Sequence, residues 1–397
     1  MLSERARALK PSPTLAISAK EKVLRAQGLD IAGFGAGEPD FDTPQHIKQA
    51  AIDAINKGFT KYTPVAGIEP LKDAIIEKFK NDNGLTFKRE EVIISCGGKH
   101  GLYNLFQALF QEGDEVIIPT PYWVSYPPMV ELAGAKPVIV DTREEDDYQV
   151  TGDLIKKYIT SKTKGIILNY PSNPVGSVYT VENLAQIGKL AVEHNLYIIS
   201  DEMYEKLVYD GYKHTSISSI DSAFKERTII SNGVSKAYSM TGWRIGYTVG
   251  QKEIISAMSN IQSQSTSNPT SISQYAALAA LTGPQDSIAM MVGEFQMRRD
   301  YLVGELTSIP GVTCYNPRGA FYVFPNFNAL LGKKYKDRVI DSSAALTELL
   351  LEEFHTAVVP GAEFGKEGYL RLSFATSMEV IKKGLERIQK AAEHLYR

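Results

Sequence analysis

Between about residues 90 and 250 the chain repeats one alternation: a short apolar run rich in β-branched residues, then a longer stretch of helical period. The runs fall at 92–95, 115–118, 137–140, 165–169, 196–200, 228–231 and 246–249. Between them, Leu102, Leu105, Phe106 and Leu109 recur at i, i+3, i+4 and i+7, and Leu184, Ile187, Leu190 and Ala191 do so too. Residues in that spacing share one helical face and bury together. Strands alternating with helices argue for an α/β fold with a mostly parallel sheet.

Beyond about residue 285 the pattern changes. A charged helix over 296–306, a short strand pair around Cys314 and Phe321, a helix over 344–354, a strand over 369–374 and a terminal helix make a smaller α+β unit. A chain of 397 residues is long for one domain. The expected division is a large domain over 46–285 and a small domain formed by 1–45 and 286–397.

Composition narrows the function classes. A net charge of −3 argues against a nucleic-acid partner, which demands a basic face. Cys96 and Cys314 are the only cysteines, too few for a disulfide framework and fit for a reducing compartment. Neither they nor the six histidines have metal-ligand spacing, so no metal site is expected. The opening MLSERARALK lacks the apolar core of a secretory signal, and no apolar run approaches a membrane span. These features imply a cytoplasmic protein. Gly33-Phe34-Gly35-Ala36-Gly37 fails as a dinucleotide fingerprint, because Glu38 stands where the third glycine is needed.

In open α/β sheets, ligands bind outside the carboxyl ends of the strands. Gly97-Gly98-Lys99 follows the run 92–95, Asn173 follows 165–169, Asp201 follows 196–200, and Lys236 lies past 228–231. One phosphate-sized cradle, one amide, one carboxylate and one lysine therefore share a rim. Each suits one part of pyridoxal phosphate. A lysine amine condenses with the aldehyde. An aspartate beside the pyridine nitrogen keeps it protonated. The N–H groups opening the Lys99 helix suit the phosphate, and Arg244 brings a planar, permanently charged fork to the same group.

Around these residues the sequence resembles the class I, fold-type I aminotransferases over nearly its whole length. The matching stretches are AGEPDFDTP (36–44), KYTPVAGI (61–68), PYWVSYP (121–127), NYPSNPVG (169–176), SDEMYEKL (200–207), SKAYSMTGWRIGY (235–247) and YLRLSFA (369–375). It is most similar to the bacterial aspartate aminotransferase branch that includes the aspartate/prephenate enzymes. The resemblance implies a large domain with a mostly parallel seven-stranded sheet flanked by helices, and a smaller α+β domain. It makes Lys236 the residue that binds pyridoxal 5'-phosphate covalently and shuttles the proton. Asp201 would pair with the ring nitrogen, Tyr204 and Asn173 would bond the ring hydroxyl oxygen, and Trp123 would stack on the ring. Gly97, Gly98, Lys99, Ser235 and Arg244 would surround the phosphate. Tyr62 would reach the phosphate of a neighbouring subunit, implying a homodimer with shared sites. Gly233 stands where the animal and enteric enzymes carry a phosphate-contacting serine, implying a modestly weaker grip.

The same resemblance makes Arg371 the grip on the substrate α-carboxylate, with Gly37 and Asn173 beside it, and Lys99 the contact for a distal carboxylate. Lys10 matches a lysine associated with prephenate transamination. The implied activity is transfer of an amino group from L-aspartate to 2-oxoglutarate, with prephenate as a further acceptor. A transaminase for aromatic or neutral amino acids is the alternative. A cofactor-sensing regulator would carry a DNA-binding module, for which the N-terminal segment is too short.

Overall fold

The computed structural model describes residues 2–9, 11 and 13–396. Seven strands form the central sheet: β1 (Val92–Ser95), β2 (Glu115–Pro119), β3 (Lys136–Val140), β4 (Thr163–Asn169), β5 (Tyr197–Asp201), β6 (Thr228–Gly233) and β7 (Gly246–Val249). Their order is β1-β7-β6-β5-β4-β2-β3. Pairings from β6 to β3 are parallel, and β7 alone runs antiparallel to both of its neighbours. The fold is the expected α/β class.

Each strand divides its side chains between two cores, as the two-residue period requires. Val116, Ile118, Ile167 and Ile199 pack with Leu102, Leu105 and Phe106. Ile117, Ile166, Leu168 and Ile198 face the other way, against Leu184 and Ile187. Each fully buried aliphatic side chain contributes about 1.5–3 kcal/mol. The facing helices are those the periodicity marked, Gly98–Leu109 and Val181–Glu193. The second starts where the Thr180 side chain accepts a hydrogen bond from Asn183 N.

A three-stranded antiparallel sheet carries Arg371 on its middle strand. Here β8 (Tyr322–Val323) and β9 (Val359–Pro360) flank β10 (Leu370–Ser373). The N-terminal segment joins this part through Ala32–Gly33, which pairs parallel with Thr356–Ala357. Helix α1 (Pro13–Ala26) lies on that seam, with Ile17 and Leu24 against Ile31, Leu351 and Ala357.

Two expectations change. The long helix is Asp286–Thr307, beginning ten residues before 296, because Ile288, Met291 and Phe295 continue the buried face of Leu302 and Leu306. The strand pair at Cys314 and Phe321 does not form. Cys314 lies in no strand, and Tyr322–Val323 is a strand because Leu370–Ser373 offers it an edge.

Candidate functional site

A cavity of about 700 Å³ opens at the carboxyl ends of the parallel strands, between the central sheet and the sheet that carries Arg371. Asn169 ends β4 and Asp201 ends β5, while Lys236 lies three residues past β6.

The cradle comes from backbone shape. Gly97 adopts φ 89° before the helix Gly98–Leu109, a left-handed geometry natural to glycine. The first intrahelical bond is donated by His100 N to Gly97 O, so the N–H groups of Gly98 and Lys99 precede it. A side chain at Gly97 would collide with the Arg244 guanidinium. That guanidinium is held by the carbonyl oxygens of Thr241 (2.8 Å) and Cys96 (3.3 Å). Ser235 is buried nearby in the cavity wall. At Gly233 a β-carbon would stand 3.0 Å from Gly246 Cα, so this buried position leaves little room for a serine.

Asp201 is buried in the cavity wall. Its Oδ2 accepts a hydrogen bond from Tyr126 Oη (2.6 Å) and its Oδ1 one from Met203 N (3.2 Å). Burial pushes its carboxyl up to about 6, against those two hydrogen bonds, which lower it. Lys236 Nζ donates to Gly37 O at 2.5 Å. Burial pushes this amine down to about 8; Glu38 opposes the shift, and Arg371 and Arg244 add to it. A basic, half-buried amine thus faces a buried carboxylate across a cavity lined by Trp123, Tyr204 and Tyr322.

Arg371 is 2 % exposed and has no carboxylate within ion-pair distance among the described residues. Its Nη2 donates to Gly35 O (2.8 Å) and its Nη1 to Asn173 Oδ1 (3.2 Å). Its Nε has no partner, and its carbon Cζ lies 4.6 Å from the Tyr322 ring centroid. Burial lowers its pKa, with Tyr322 and Tyr204 opposing. A buried guanidinium with donors to spare is a receptor for a planar anion.

The cavity brings together Gly37, Gly98, Lys99, Trp123, Asn173, Asp201, Tyr204, Ser235, Lys236, Arg244 and Arg371. Gly97 adjoins it. Tyr62 does not reach it and is 88 % exposed. Lys10 lies outside the described residues. Tyr204 Oη lies 3.0 Å from Tyr322 Oη. Lys99 Nζ stands 4.9 Å over the Trp123 ring, its pKa lowered by burial and by Arg244.

Sequence reasoning missed Tyr126, Tyr322, Asn169 and the α1 residues Glu21, Lys22 and Arg25, all in the lining. Tyr126 lay inside the quoted stretch PYWVSYP, three residues after Trp123, and that spacing was the available signal. Ligand atoms of Glu202, Glu205 and His214 lie within 4.8 Å of one another. They are engaged already. Glu202 accepts from Ser200 and Ser216 and faces His214, while Glu205 pairs with Lys78 and accepts from Asn232 and Asn83.

The family model described as aminotransferase class I and II matches residues 30–388. The chain is 50% identical over 390 residues to an aspartate aminotransferase of Bacillus sp. (strain YM-2), covering 98% of each chain. It is 49% identical over 393 residues to a probable aspartate/prephenate aminotransferase of Rickettsia felis, covering 98% of this chain and 96% of that one. The crystal structure of the aspartate aminotransferase from Rhizobium meliloti superimposes with a TM-score of 0.96 at 42% identity, over 100% of this chain and 99% of that one.

Proposed function

The chain belongs to the class I and II aminotransferases, and on that premise we propose that it is an aspartate aminotransferase that moves an amino group reversibly between L-aspartate and 2-oxoglutarate, giving oxaloacetate and L-glutamate. The observation that carries the reading is Arg371, buried without an acidic partner among the described residues, in the same cavity as Lys236 and Asp201. Such an arginine suits a carboxylate-bearing substrate held over an amine.

The enzymes of this family use pyridoxal 5'-phosphate, and the residues present fit it. The glycine cradle with Arg244 suits its phosphate, Asp201 its ring nitrogen, Trp123 its ring face and Lys236 its aldehyde. When bound, the cofactor supplies an electron sink for the bond broken at the substrate α-carbon. The chain supplies the rest. Arg371 and Asn173 orient the α-carboxylate, Gly37 lines the same side, and Lys99 takes the distal carboxylate. Tyr204 and Asn173 hydrogen-bond the ring hydroxyl side. Asp201 holds a proton at the ring nitrogen. Lys236, with an amine pKa of about 8, would take the proton from the substrate α-carbon and return it at the cofactor's aldehyde carbon. Both half-reactions use these residues in turn, which gives ping-pong kinetics.

The proposal includes prephenate as a further acceptor, in line with the name of the Rickettsia relative and with Lys10. It also includes a homodimer in which Tyr62, exposed and outside its own cavity, reaches the partner's phosphate site. A cytoplasmic location and the division into 46–285 and 1–45 with 286–397 belong to the same reading. No described helix is long and apolar enough to cross a membrane.

A panel of amino donors and oxo-acid acceptors, with products identified, tests the assignment. Aspartate with 2-oxoglutarate should be the fastest pair and should yield oxaloacetate. Faster turnover of phenylalanine or alanine than of aspartate would overturn it.

A further inference from the structure

The carboxylate at the end of β5 is positioned from outside its own strand. Tyr126 is 1 % exposed and begins the helix Tyr126–Leu132, in a different strand-to-helix connection from Asp201. Its ring meets Trp123 edge-to-face at 5.3 Å between centroids, which fixes the phenol between the cavity wall and Asp201. Its hydroxyl ends 2.6 Å from Asp201 Oδ2. On the other side Met203 N meets Oδ1, and Asn169 Nδ2 holds the Asp201 carbonyl at 3.1 Å. A buried carboxylate with one donor on each oxygen has a single orientation, and each donor favours its ionised form.

We propose that Tyr126 is a positioning residue for the reaction: its hydroxyl keeps Asp201 ionised and aimed at the cofactor ring nitrogen. The inference rests on the role given to Asp201 above. Tyr126 needs no contact with substrate for this. The other charged groups acting on Asp201 are Glu202, which raises its pKa, and Lys236, which lowers it. Glu202 is itself tied to Ser200, Ser216 and His214. Tyr126 is thus the side-chain donor to Asp201 whose removal leaves both charges in place.

The test uses the holoenzyme, read by the pH dependence of kcat, by KM for aspartate and by the cofactor absorption band. Tyr126→Phe keeps the ring packing and removes one hydroxyl. Losing a donor that lowers the Asp201 pKa moves the acid limb of the kcat profile to higher pH. The expected result is that shift, by about one unit, with a change in the pH titration of the absorption band. A fall in kcat of about tenfold and a KM for aspartate changed less than twofold should accompany it. Site-specific 3-fluorotyrosine at 126, a stronger donor, should move the limb to lower pH. A Tyr126→Phe enzyme with both titrations unchanged overturns the proposal. Asp201→Asn separates it from its premise. If Asp201→Asn collapses activity and Tyr126→Phe moves neither titration, only the Tyr126 role is wrong. If Asp201→Asn leaves spectrum and activity intact, the role of Asp201 fails and the proposal with it.

Discussion

Just past the carboxyl end of β5, one buried ion pair is closed within the chain. Lys78, from the helix Glu69–Asn83, has a side chain 7 % exposed and pairs with Glu205, which Asn232 and Asn83 also hydrogen-bond. Burial pushes Glu205 up, but the Lys78 charge, then His214 and Lys206, bring it down to about 2. On the cavity wall, Arg371 is at least as deeply buried and has carbonyl and amide oxygens for company but, among the described residues, no carboxylate. The contrast separates two uses of a buried cation. One is satisfied on folding and supports the floor; the other completes its pairing only when a ligand brings the anion.

The floor also carries Lys236, whose replacement should have the largest effect on turnover. Lys236→Ala removes both the attachment point and the proton carrier, so kcat falls by about 10⁴-fold or more. The fold should persist, since among the described residues this amine makes one hydrogen bond, to Gly37 O. Steady-state assay beside thermal unfolding checks both halves. Ordinary turnover in the variant would remove the proposed site altogether.

Lys78→Met and Arg371→Leu then test the contrast directly. The first leaves Glu205 buried without its cation, and urea unfolding should show a loss of about 3–5 kcal/mol. The second removes a buried charge that the chain itself does not neutralise. The gain from that offsets the lost donors to Gly35 and Asn173, so apoprotein stability should stay within about 1 kcal/mol. Its effect falls on catalysis, with kcat/KM for every amino acid down about 10²- to 10³-fold. If Arg371→Leu destabilised the apoprotein as much as Lys78→Met, Arg371 would be structural and the distinction would fail.

The floor was legible in the sequence because its residues lie at the ends of runs whose period is local. Asp201 directly follows the run 196–200, and the Gly97-Gly98 turn opens a helix whose buried face repeats in plain view. All seven strands of the sheet fall on the apolar runs, with ends differing by two residues or fewer. The wall was less legible. Arg371 is placed by pairing between Leu370–Ser373 and strands as distant as Tyr322–Val323, and Tyr126 is joined to Asp201 across 75 residues. Neither relation leaves a periodic trace. The α1 residues in the cavity depend likewise on the Ala32–Gly33 pairing, and the misplaced strand at Cys314 on an edge supplied from far along the chain.

The amine of Lys236 offers a pH test of the floor alone. Its pKa is lowered from 10.5 to about 8, so the neutral, nucleophilic form dominates only above about pH 8. The rate at which apoprotein takes up pyridoxal phosphate, followed by absorbance, should fall about tenfold for each pH unit below that midpoint. The same depression carries a sign for stability. A lysine whose folded pKa is lowered contributes stability above its unfolded value, lost as pH falls through about 8. A midpoint near 10.5 would mean that the cavity does not desolvate the amine.

The smallest effect expected is also the one that divides floor from wall most finely. Lys99 opens the cradle helix yet extends over Trp123, so it is placed to serve either the phosphate or a distal carboxylate. The residue is exposed overall, but its amine is partly desolvated beside Trp123, so a charged contact from it contributes about 1–2 kcal/mol. Lys99→Ala should therefore lower kcat/KM for aspartate about tenfold relative to phenylalanine, which has no second carboxylate. An equal loss for both amino acids, with weaker cofactor binding, would assign Lys99 to the phosphate. Discrimination would then fall to other residues of the wall, and the Arg371 side would have to recognise more than the α-carboxylate.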